Sequence, residues 1–163
     1  MKKISYYIIS IIFIFSIYSC VGYEPIFNTS EFKFNIEEYK VEGDKKLGRQ
    51  IYSKLYNLSK SNKNNPNTKN FDIIINSSKV KNATAINSSG KVLEYKIIIN
   101  VNILIKDYFT DSKILNHKFS SFSSYNVQEQ HSETVKLEVK TIENLLNKIY
   151  QDLLIKISEK IAN

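Results

Sequence analysis

The chain has 163 residues, with 23 lysines and arginines against 16 aspartates and glutamates, so its formal net charge is +7. A length of this order suits one domain with a single hydrophobic core. One cysteine excludes a disulfide within the chain, and two histidines and four glycines leave little material for histidine-based catalysis or a glycine-rich phosphate loop. The moderate basic excess suits solubility or an acidic lipid surface. A nucleic-acid partner is disfavoured because the N-terminus reads as a secretion signal.

The first twenty residues have the order of a bacterial secretion signal. Lys2 and Lys3 are followed by an uncharged, largely apolar stretch from Ile4 to Ser19, and Cys20 comes directly after it. A cysteine at this point is typical of bacterial lipoproteins, in which the thiol is acylated and becomes the first residue of the mature protein. We therefore predict that residues 1–19 are a lipoprotein signal peptide and that Cys20 is the lipid-attachment residue, which places the protein at a membrane.

An uncleaved membrane anchor is the alternative interpretation of the same segment. No charge occurs between Lys3 and Glu24, and a span of about 20 residues is just long enough to cross a bilayer. Four serines dilute the apolar run, and no positive cluster follows it, so the lipoprotein signal is favoured. Residue 21 is Val21 rather than the aspartate that retains lipoproteins at the inner membrane in some bacteria, which favours the outer membrane by default.

Downstream of a short tether at residues 20–30, we predict one domain at residues 31–163. Polar and apolar residues alternate from Glu31 to Ile36, which predicts a half-buried strand. Gly43 and Asp44 then offer a helix cap, and four apolar residues at spacings of four, four and three predict a helix of about four turns. The four residues are Leu47, Ile51, Leu55 and Leu58.

Three further strands are predicted after a polar loop at residues 59–70. The first runs from Phe71 toward Ala85, and turn residues at 87–90 reverse the chain into the second. Apolar and polar side chains alternate in the second strand, so one face meets a core and the other meets water or a polar partner. The apolar set is Tyr95, Ile97, Ile99, Val101, Ile103 and Ile105, and the polar set is Lys96, Asn100, Asn102 and Lys106. The third strand, about residues 114–125, is rich in serine and has a weak core face.

The chain ends in a predicted helix of residues 133–161, capped by Ser132. Its apolar stripe recurs at helical spacing without proline or glycine, so the helix should lie across the sheet. The stripe is Val135, Val139, Ile142, Leu145, Leu146, Ile149, Leu153, Ile157 and Ile161. The order β-α-β-β-β-α predicts an α+β fold: a two-layer sandwich in which two helices pack on one face of a four-stranded mixed sheet.

Groups that carry catalysis are scarce in the sequence. The segment Glu129–Glu133 places His131 between two glutamates and suggests a metal site, but the capped start of a helix explains it better. Asp107 and Asp111 flank a predicted turn and are interpreted as turn residues rather than as an acid–base pair. We therefore expect no enzyme activity, no metal and no cofactor.

Three short groups of residues stand in a characteristic order along the mature chain. The first is Cys20–Phe27, in which a glycine and an aromatic residue closely follow the cysteine. The second lies in the central hairpin and comprises Ala83–Ala85, Gly90 and Glu94–Tyr95. The third is Phe119–Phe122, followed by the long amphipathic helix. In order, spacing and element sequence, the mature chain resembles the LPS-assembly lipoprotein LptE family over essentially its whole length.

The resemblance implies an outer-membrane lipoprotein, anchored on the periplasmic side through acylated Cys20, that plugs the LptD β-barrel. Such a protein helps the barrel to fold and takes part in lipopolysaccharide transport. A plug needs a small rigid domain and polar faces that suit a polar barrel lumen. Lipopolysaccharide carries phosphates, which cations recognise. The candidate lipopolysaccharide-binding residues are Lys79, Lys81, Lys91 and Lys96, with ordinary solvated lysines as the alternative.

Two other functions are compatible with the same sequence features. A lipoprotein subunit of another envelope or lipid-transport complex would share the anchor and the fold, and it would differ only in its partner. A lipid-anchored hydrolase or metal-dependent enzyme belongs to a different class. The scarcity of histidine, cysteine and glycine motifs argues against that class.

Overall fold

The computed structural model describes residues 34–60 and 68–161. Four strands and two helices follow one another in the predicted order β-α-β-β-β-α. The elements are β1 (Phe34–Gly43), α1 (Lys45–Lys60), β2 (Lys69–Ile86), β3 (Val92–Asp107), β4 (Lys113–Asn126) and α2 (His131–Ile161). The predicted signal peptide, Cys20, the tether and the start of the predicted first strand lie outside the described residues.

The sheet has the strand order β1-β2-β3-β4 and is mixed. β1 and β2 are parallel, because α1 returns the chain to the end of the sheet at which β1 began. Hairpins make β2, β3 and β4 antiparallel neighbours. The first hairpin turns at the predicted residues 87–90, where the side-chain oxygen of Asn87 accepts hydrogen bonds from the backbone N–H groups of Ser89 and Lys91.

The junction between β1 and α1 uses the two residues that the sequence singled out. Gly43 has a φ of +70°, which glycine adopts without steric cost. Oδ1 of Asp44 accepts hydrogen bonds from the backbone N–H groups of Lys46 at 3.1 Å and Leu47 at 3.2 Å, which is the predicted helix cap. The Ser77 hydroxyl donates to the Asp44 carbonyl at 2.7 Å and ties the start of α1 to β2.

Both helices pack on the same face of the sheet and enclose one core. Every second residue of β3 from Ile97 to Ile105 is buried, as the alternation predicted, and Tyr95 is half-buried at the end of that row. All four residues of the predicted α1 stripe are buried. Full burial of one such aliphatic side chain contributes about 1.5–3 kcal/mol. The predicted α+β sandwich, with two helices on a four-stranded mixed sheet, is confirmed.

The apolar stripe of α2 is buried only in its second half. Leu145 to Ile157 carry the buried positions, whereas Val135 and Val139 are 44% and 49% exposed. The sheet opposite these two valines presents Lys79 and Lys81 instead of apolar side chains, so no core closes there. The predicted apolar stripe of α2 is therefore part of the core from Leu145 to Ile157 and not in the first turns of the helix. The side chain of Ile161 lies outside the described set.

The start of α2 also differs from the prediction. The helix begins at His131, so Ser132 lies inside its first turn instead of capping it. The Gln130 carbonyl accepts hydrogen bonds from the N–H groups of Glu133 at 3.2 Å and Thr134 at 3.3 Å. Thr134 is buried, and its hydroxyl accepts from the Gln128 N–H at 2.9 Å, which fixes the chain as it enters the helix.

Candidate functional site

The four candidate lysines lie on two different faces of the sheet. Lys79 and Lys81 occupy alternate positions of β2 and point toward the helices, because they continue the inward alternation of that strand. Lys91 follows the hairpin turn and borders the same groove as Lys81. Lys96 is out of phase with these residues and lies on the face that the helices leave open. The structure therefore groups three of the candidates and separates the fourth.

Lys81 is held by partners within the domain. Its Nζ lies 2.5 Å from Oε2 of Glu138 and 4.2 Å from the ring centroid of Tyr95. The hydroxyl of Tyr125 donates to the same Glu138 oxygen at 2.9 Å. These contacts join β2, β3, β4 and the first half of α2 into one polar network. Lys81 is thus a structural residue as well as a candidate ligand contact.

The network shifts the ionisation of its members. Partial burial opposes ionisation of Glu138, but hydrogen bonds from Lys81 and Tyr125 outweigh it and hold the pKa of Glu138 below its ordinary value. Partial burial likewise disfavours the charged form of Lys81, but the hydrogen bond to Glu138 prevails and raises the pKa of Lys81. Burial raises the pKa of Tyr125. The ion pair is therefore formed at neutral pH.

An open groove of about 400 Å³ lies between the β2–β3 hairpin and the first turns of α2. We call it the hairpin groove. Lys81 and Lys91 supply its cations, and the exposed side of Val135 supplies apolar surface. The other lining residues include Val92, Tyr95, Val127, His131 and Glu138. A groove that combines lysines with valines and a tyrosine suits an anion that carries an apolar part.

A narrower cleft of about 80 Å³ lies beside the hairpin groove, between the start of α1 and α2. Lys46 and Lys79 stand at its rim, and Val139 and Ile142 contribute apolar surface. Val135, Val139 and Ile142 are spaced by four and three residues and so follow one side of α2. The two cavities together place four lysines along a partly exposed apolar stripe: Lys46, Lys79, Lys81 and Lys91.

The opposite side of the sheet has no helix over it in the described part of the chain. We call this surface the open face. Its centre consists mainly of uncharged hydrogen-bonding side chains from three adjacent strands, paired across the sheet in register. They are Asn76, Ser78, Asn100, Asn102 and Ser120, and Lys118 of β4 completes the row of Asn102. Such a surface can exchange hydrogen bonds with water or with a polar partner.

An apolar row that spans three strands crosses the open face beside these polar residues, in addition to the pair of Ile74 and Leu104. Val80, Ile98 and Phe122 are paired directly across β2, β3 and β4. Phe122 is 64% exposed, and Nζ of Lys96 lies 4.1 Å from its ring centroid, within the range of a cation–π contact. Lys96, predicted as a lipopolysaccharide contact, thus belongs to this row and not to the grooves.

Phe122 differs from the other two aromatic residues of β4 in being exposed. Phe119 and Tyr125 are buried, and they occupy odd positions, as does buried Ser121. Phe122 is out of phase with them, so the period of two in the strand was the signal that could have placed it on the open face.

Two other features concern the predicted functional classes. No group of three or more histidine, cysteine, aspartate or glutamate side chains among the described residues is arranged to hold a metal ion. His131 lines the hairpin groove at the start of α2.

Within residues 34–60 and 68–161, neither helix combines the length and the apolar composition needed to cross a membrane. Asp107 caps its own turn through hydrogen bonds to Phe109 and Thr110, in keeping with a turn residue.

The architecture, two helices on one face of a β1-β2-β3-β4 sheet, is shared with bacterial lipoproteins of known structure. Rare lipoprotein B of Shewanella oneidensis superposes with a TM-score of 0.51 at 14% identity, over 77% of this chain and 98% of that one. A minor lipoprotein of Acinetobacter baumannii gives 0.55 at 13% identity, over 78% and 92%. Lipoprotein B of Nitrosomonas europaea gives 0.55 at 16% identity, over 85% and 91%.

Sequence comparison adds no assignment to this structural likeness. No protein-family model matches the chain, and no curated protein matches it. At 13–16% identity, the three lipoproteins establish a common fold. The likeness covers nearly the full length of each, so the whole two-layer domain is the shared unit.

Proposed function

We propose that this protein is an envelope lipoprotein of the LptE type, anchored in the outer membrane on its periplasmic side through Cys20. In this role it plugs and helps to fold an LptD-type β-barrel and takes part in lipopolysaccharide transport. The resemblance of the mature chain to the LptE family supports the proposal, and so does the fold that it shares with three bacterial lipoproteins. No catalytic step is part of this role.

The observation that carries the proposal is the open face. A domain that sits in a polar barrel lumen needs a rigid surface rich in hydrogen-bonding side chains. The central rows of the open face supply it, with Ser78, Asn100 and Ser120 paired across three strands. A sheet backed by a core on its other side is stiff enough to keep these groups in register.

The two grooves on the helix side support lipopolysaccharide as a ligand. A phosphorylated acyl glycolipid offers phosphates to lysines and acyl chains to apolar surface. Lys79 and Lys91 stand at the grooves without an ion pair as close as that of Lys81, and Val135 and Val139 provide exposed apolar area beside them. Binding on this side leaves the open face available for the barrel.

The test is affinity purification of the tagged full-length protein from detergent-solubilised envelopes, with Cys20→Ala as the matched control. We expect one large outer-membrane β-barrel to be recovered near one-to-one with the wild type, and to a lower yield with the variant that lacks the anchor. Recovery of an inner-membrane transporter instead would assign the protein to a different envelope complex. Recovery of lipid alone would contradict both assignments.

A further inference from the structure

The hairpin between β3 and β4 ends in two exposed aromatic side chains. Tyr108 is 43% exposed and Phe109 is 76% exposed, the highest value for a large apolar side chain within residues 34–60 and 68–161. Their rings pack edge to face with centroids 5.4 Å apart. The two side chains form an exposed apolar cluster beyond the end of the sheet, and they are not part of the hydrophobic core. We call residues 107–112 the aromatic tip.

Hydrogen bonds fix the aromatic tip in place. Oδ1 of Asp107 accepts from the N–H of Phe109 at 3.1 Å and from the N–H and hydroxyl of Thr110 at 2.9 Å each. Hydrogen bonds from the Thr110 backbone and hydroxyl hold the pKa of Asp107 below its ordinary value. Nζ of Lys106 pairs with Asp111 at 2.8 Å across the turn. The two rings are therefore presented outward by an ordered turn.

The aromatic tip lies at the end of the sheet where the chain enters the domain. The N–H of Tyr108 donates to the Asn70 carbonyl at 2.9 Å, and Asn70 pairs with Asn35 near the start of β1. Phe34 is thus two strands away, which corresponds to about 10 Å across the sheet. Residues 21–33 connect Phe34 to Cys20, and a chain of that length spans at most about 45 Å. The chain that follows Cys20 therefore enters the domain at the end that carries the aromatic tip.

The chemistry of the aromatic tip suits the headgroup region of a bilayer. Aromatic side chains concentrate at the membrane–water interface, where the ring meets apolar material and a polar group such as the tyrosine hydroxyl stays hydrated. The tip and the strand ends that flank it in β2, β3 and β4 carry three lysines and three aspartates. They are Lys69, Lys106 and Lys113 against Asp72, Asp107 and Asp111. Contact is therefore driven by the aromatic rings and does not need acidic lipids.

We propose that the aromatic tip inserts into the headgroup region of the membrane leaflet that holds the acyl chains of Cys20. The proposal rests on the anchor assigned under the proposed function. Acylation supplies the main membrane affinity, and the tip adds a second, protein-borne contact. Two contacts at one end of the domain hold that end at the periplasmic leaflet. The β2–β3 hairpin and the hairpin groove then lie at the opposite end of the strands from this contact.

The absence of tryptophan from the sequence permits a clean test. Phe109→Trp places a single fluorescent reporter on the tip, and Phe122→Trp places one on the open face as the matched control. Each full-length acylated protein is reconstituted into vesicles of phosphatidylethanolamine and phosphatidylglycerol, with and without brominated acyl chains. Both replaced side chains are exposed, so neither substitution is expected to affect folding.

We expect quenching by brominated lipid to be at least about twofold stronger at position 109 than at position 122, because interfacial aromatics contact lipid. Emission at position 109 should also shift to shorter wavelength on vesicle binding. Equal, weak quenching at both positions on vesicle-bound protein would overturn the tip contact while leaving the anchor intact. Failure of the acylated protein to bind vesicles, with neither reporter quenched, would overturn the anchor and the tip contact with it.

Discussion

Ser121 is a buried polar side chain whose hydroxyl group lacks a hydrogen bond within the described residues. It points into the core from β4, opposite Ile99, and is 3% exposed. Its hydroxyl has no hydrogen-bond partner within the described ranges. Burying a hydroxyl without a partner costs free energy that an apolar side chain would not lose. The serine-rich strand predicted to have a weak core face is weakest at this residue.

We expect Ser121→Ala to raise the free energy of unfolding by about 1 kcal/mol. The reason is that alanine removes the desolvated hydroxyl and leaves the packing of the β-carbon unchanged. Urea denaturation followed by circular dichroism measures the effect. Ser120→Ala, on the exposed side of the same strand, is the control and should change the value by less than about 0.5 kcal/mol. A loss of stability in Ser121→Ala would show that the hydroxyl has a partner.

The ion pair between Lys81 and Glu138 makes the free energy of unfolding depend on pH. The pKa of Glu138 is lower in the folded protein than in the unfolded chain, so its contribution is fully present above the unfolded value. The contribution is lost as the pH falls through the folded value. We expect Glu138→Gln to lower the free energy of unfolding at neutral pH by about 1 kcal/mol, since the pair is only partly screened. This difference should shrink progressively below the ordinary pKa of a glutamate.

Denaturation curves of wild type and Glu138→Gln over a pH series provide the measurement. Glu42→Gln is the control, because it breaks the ion pair of Glu42 with Lys40, whose two side chains are far more exposed. The substitution should change the free energy of unfolding at neutral pH by less than Glu138→Gln does, because solvent screens this exposed pair more strongly. A gap between wild type and Glu138→Gln that stays constant down to strongly acidic pH would contradict the assigned ion pair.

The connection from β1 to α1 leaves no room for a side chain at residue 43. Gly43 has positive φ, and a β-carbon added there would strike the Ser77 carbonyl oxygen. Gly90, in the β2–β3 turn, has a similar φ of +79° but open space around it. The two glycines therefore separate the cost of backbone conformation from the cost of a steric clash.

We expect Gly90→Ala to lose about 1–2 kcal/mol of stability, which is the cost of a left-handed conformation alone. Gly43→Ala should lose clearly more, because the backbone oxygen of Ser77 cannot move without disturbing β2. Thermal unfolding of both variants side by side measures the difference. Equal losses of stability in the two variants would mean that the end of β1 can shift to accommodate the added β-carbon.

The elements of this fold were predictable from local patterns of polarity. The four-residue spacing of Leu47, Ile51 and Leu55 gave α1, and alternation from Ile97 to Ile105 gave β3 and its buried face. Gly43 and Asp44 predicted the junction between β1 and α1. These signals are local, because a helix or strand with one buried face repeats its pattern within a few residues.

The features that the sequence did not predict are contacts between residues of different elements. The spacing of Val135 and Val139 fits the rest of the α2 stripe, and nothing within the helix shows that lysines of β2 face them. Whether Lys81 would meet Glu138 or solvent likewise depended on a contact between residues 57 positions apart. Such pairings are set by the register of the sheet and the placement of the helix. The periodicity of residues within one segment carries no information about the register of the sheet or the placement of the helix.

The described domain presents three surfaces that differ in chemistry. The centre of the open face is rich in hydrogen-bonding side chains and is crossed by an apolar row, with Lys96 and Lys118 among its cations. The helix side holds two lysine-rimmed grooves beside exposed valines, and the end nearest the tether carries the aromatic tip. An anchored plug needs a partner surface, a ligand surface and a membrane contact that do not overlap. One layer of helices on one side of a sheet provides this separation.

The open face should be separable from folding by a single substitution. Asn100 lies at its centre between Ser78 and Ser120, so a glutamate there finds no cation directly opposite. We expect Asn100→Glu to change the free energy of unfolding by less than about 1 kcal/mol, because the side chain remains accessible to water. In envelope pull-downs it should lower recovery of the barrel by at least about tenfold, since a buried unpaired charge opposes association. Asn144→Glu, the same change on the exposed side of α2, is the matched control and should recover the barrel as wild type does. Loss of the barrel in the α2 variant alone would move the partner surface from the sheet to the helices.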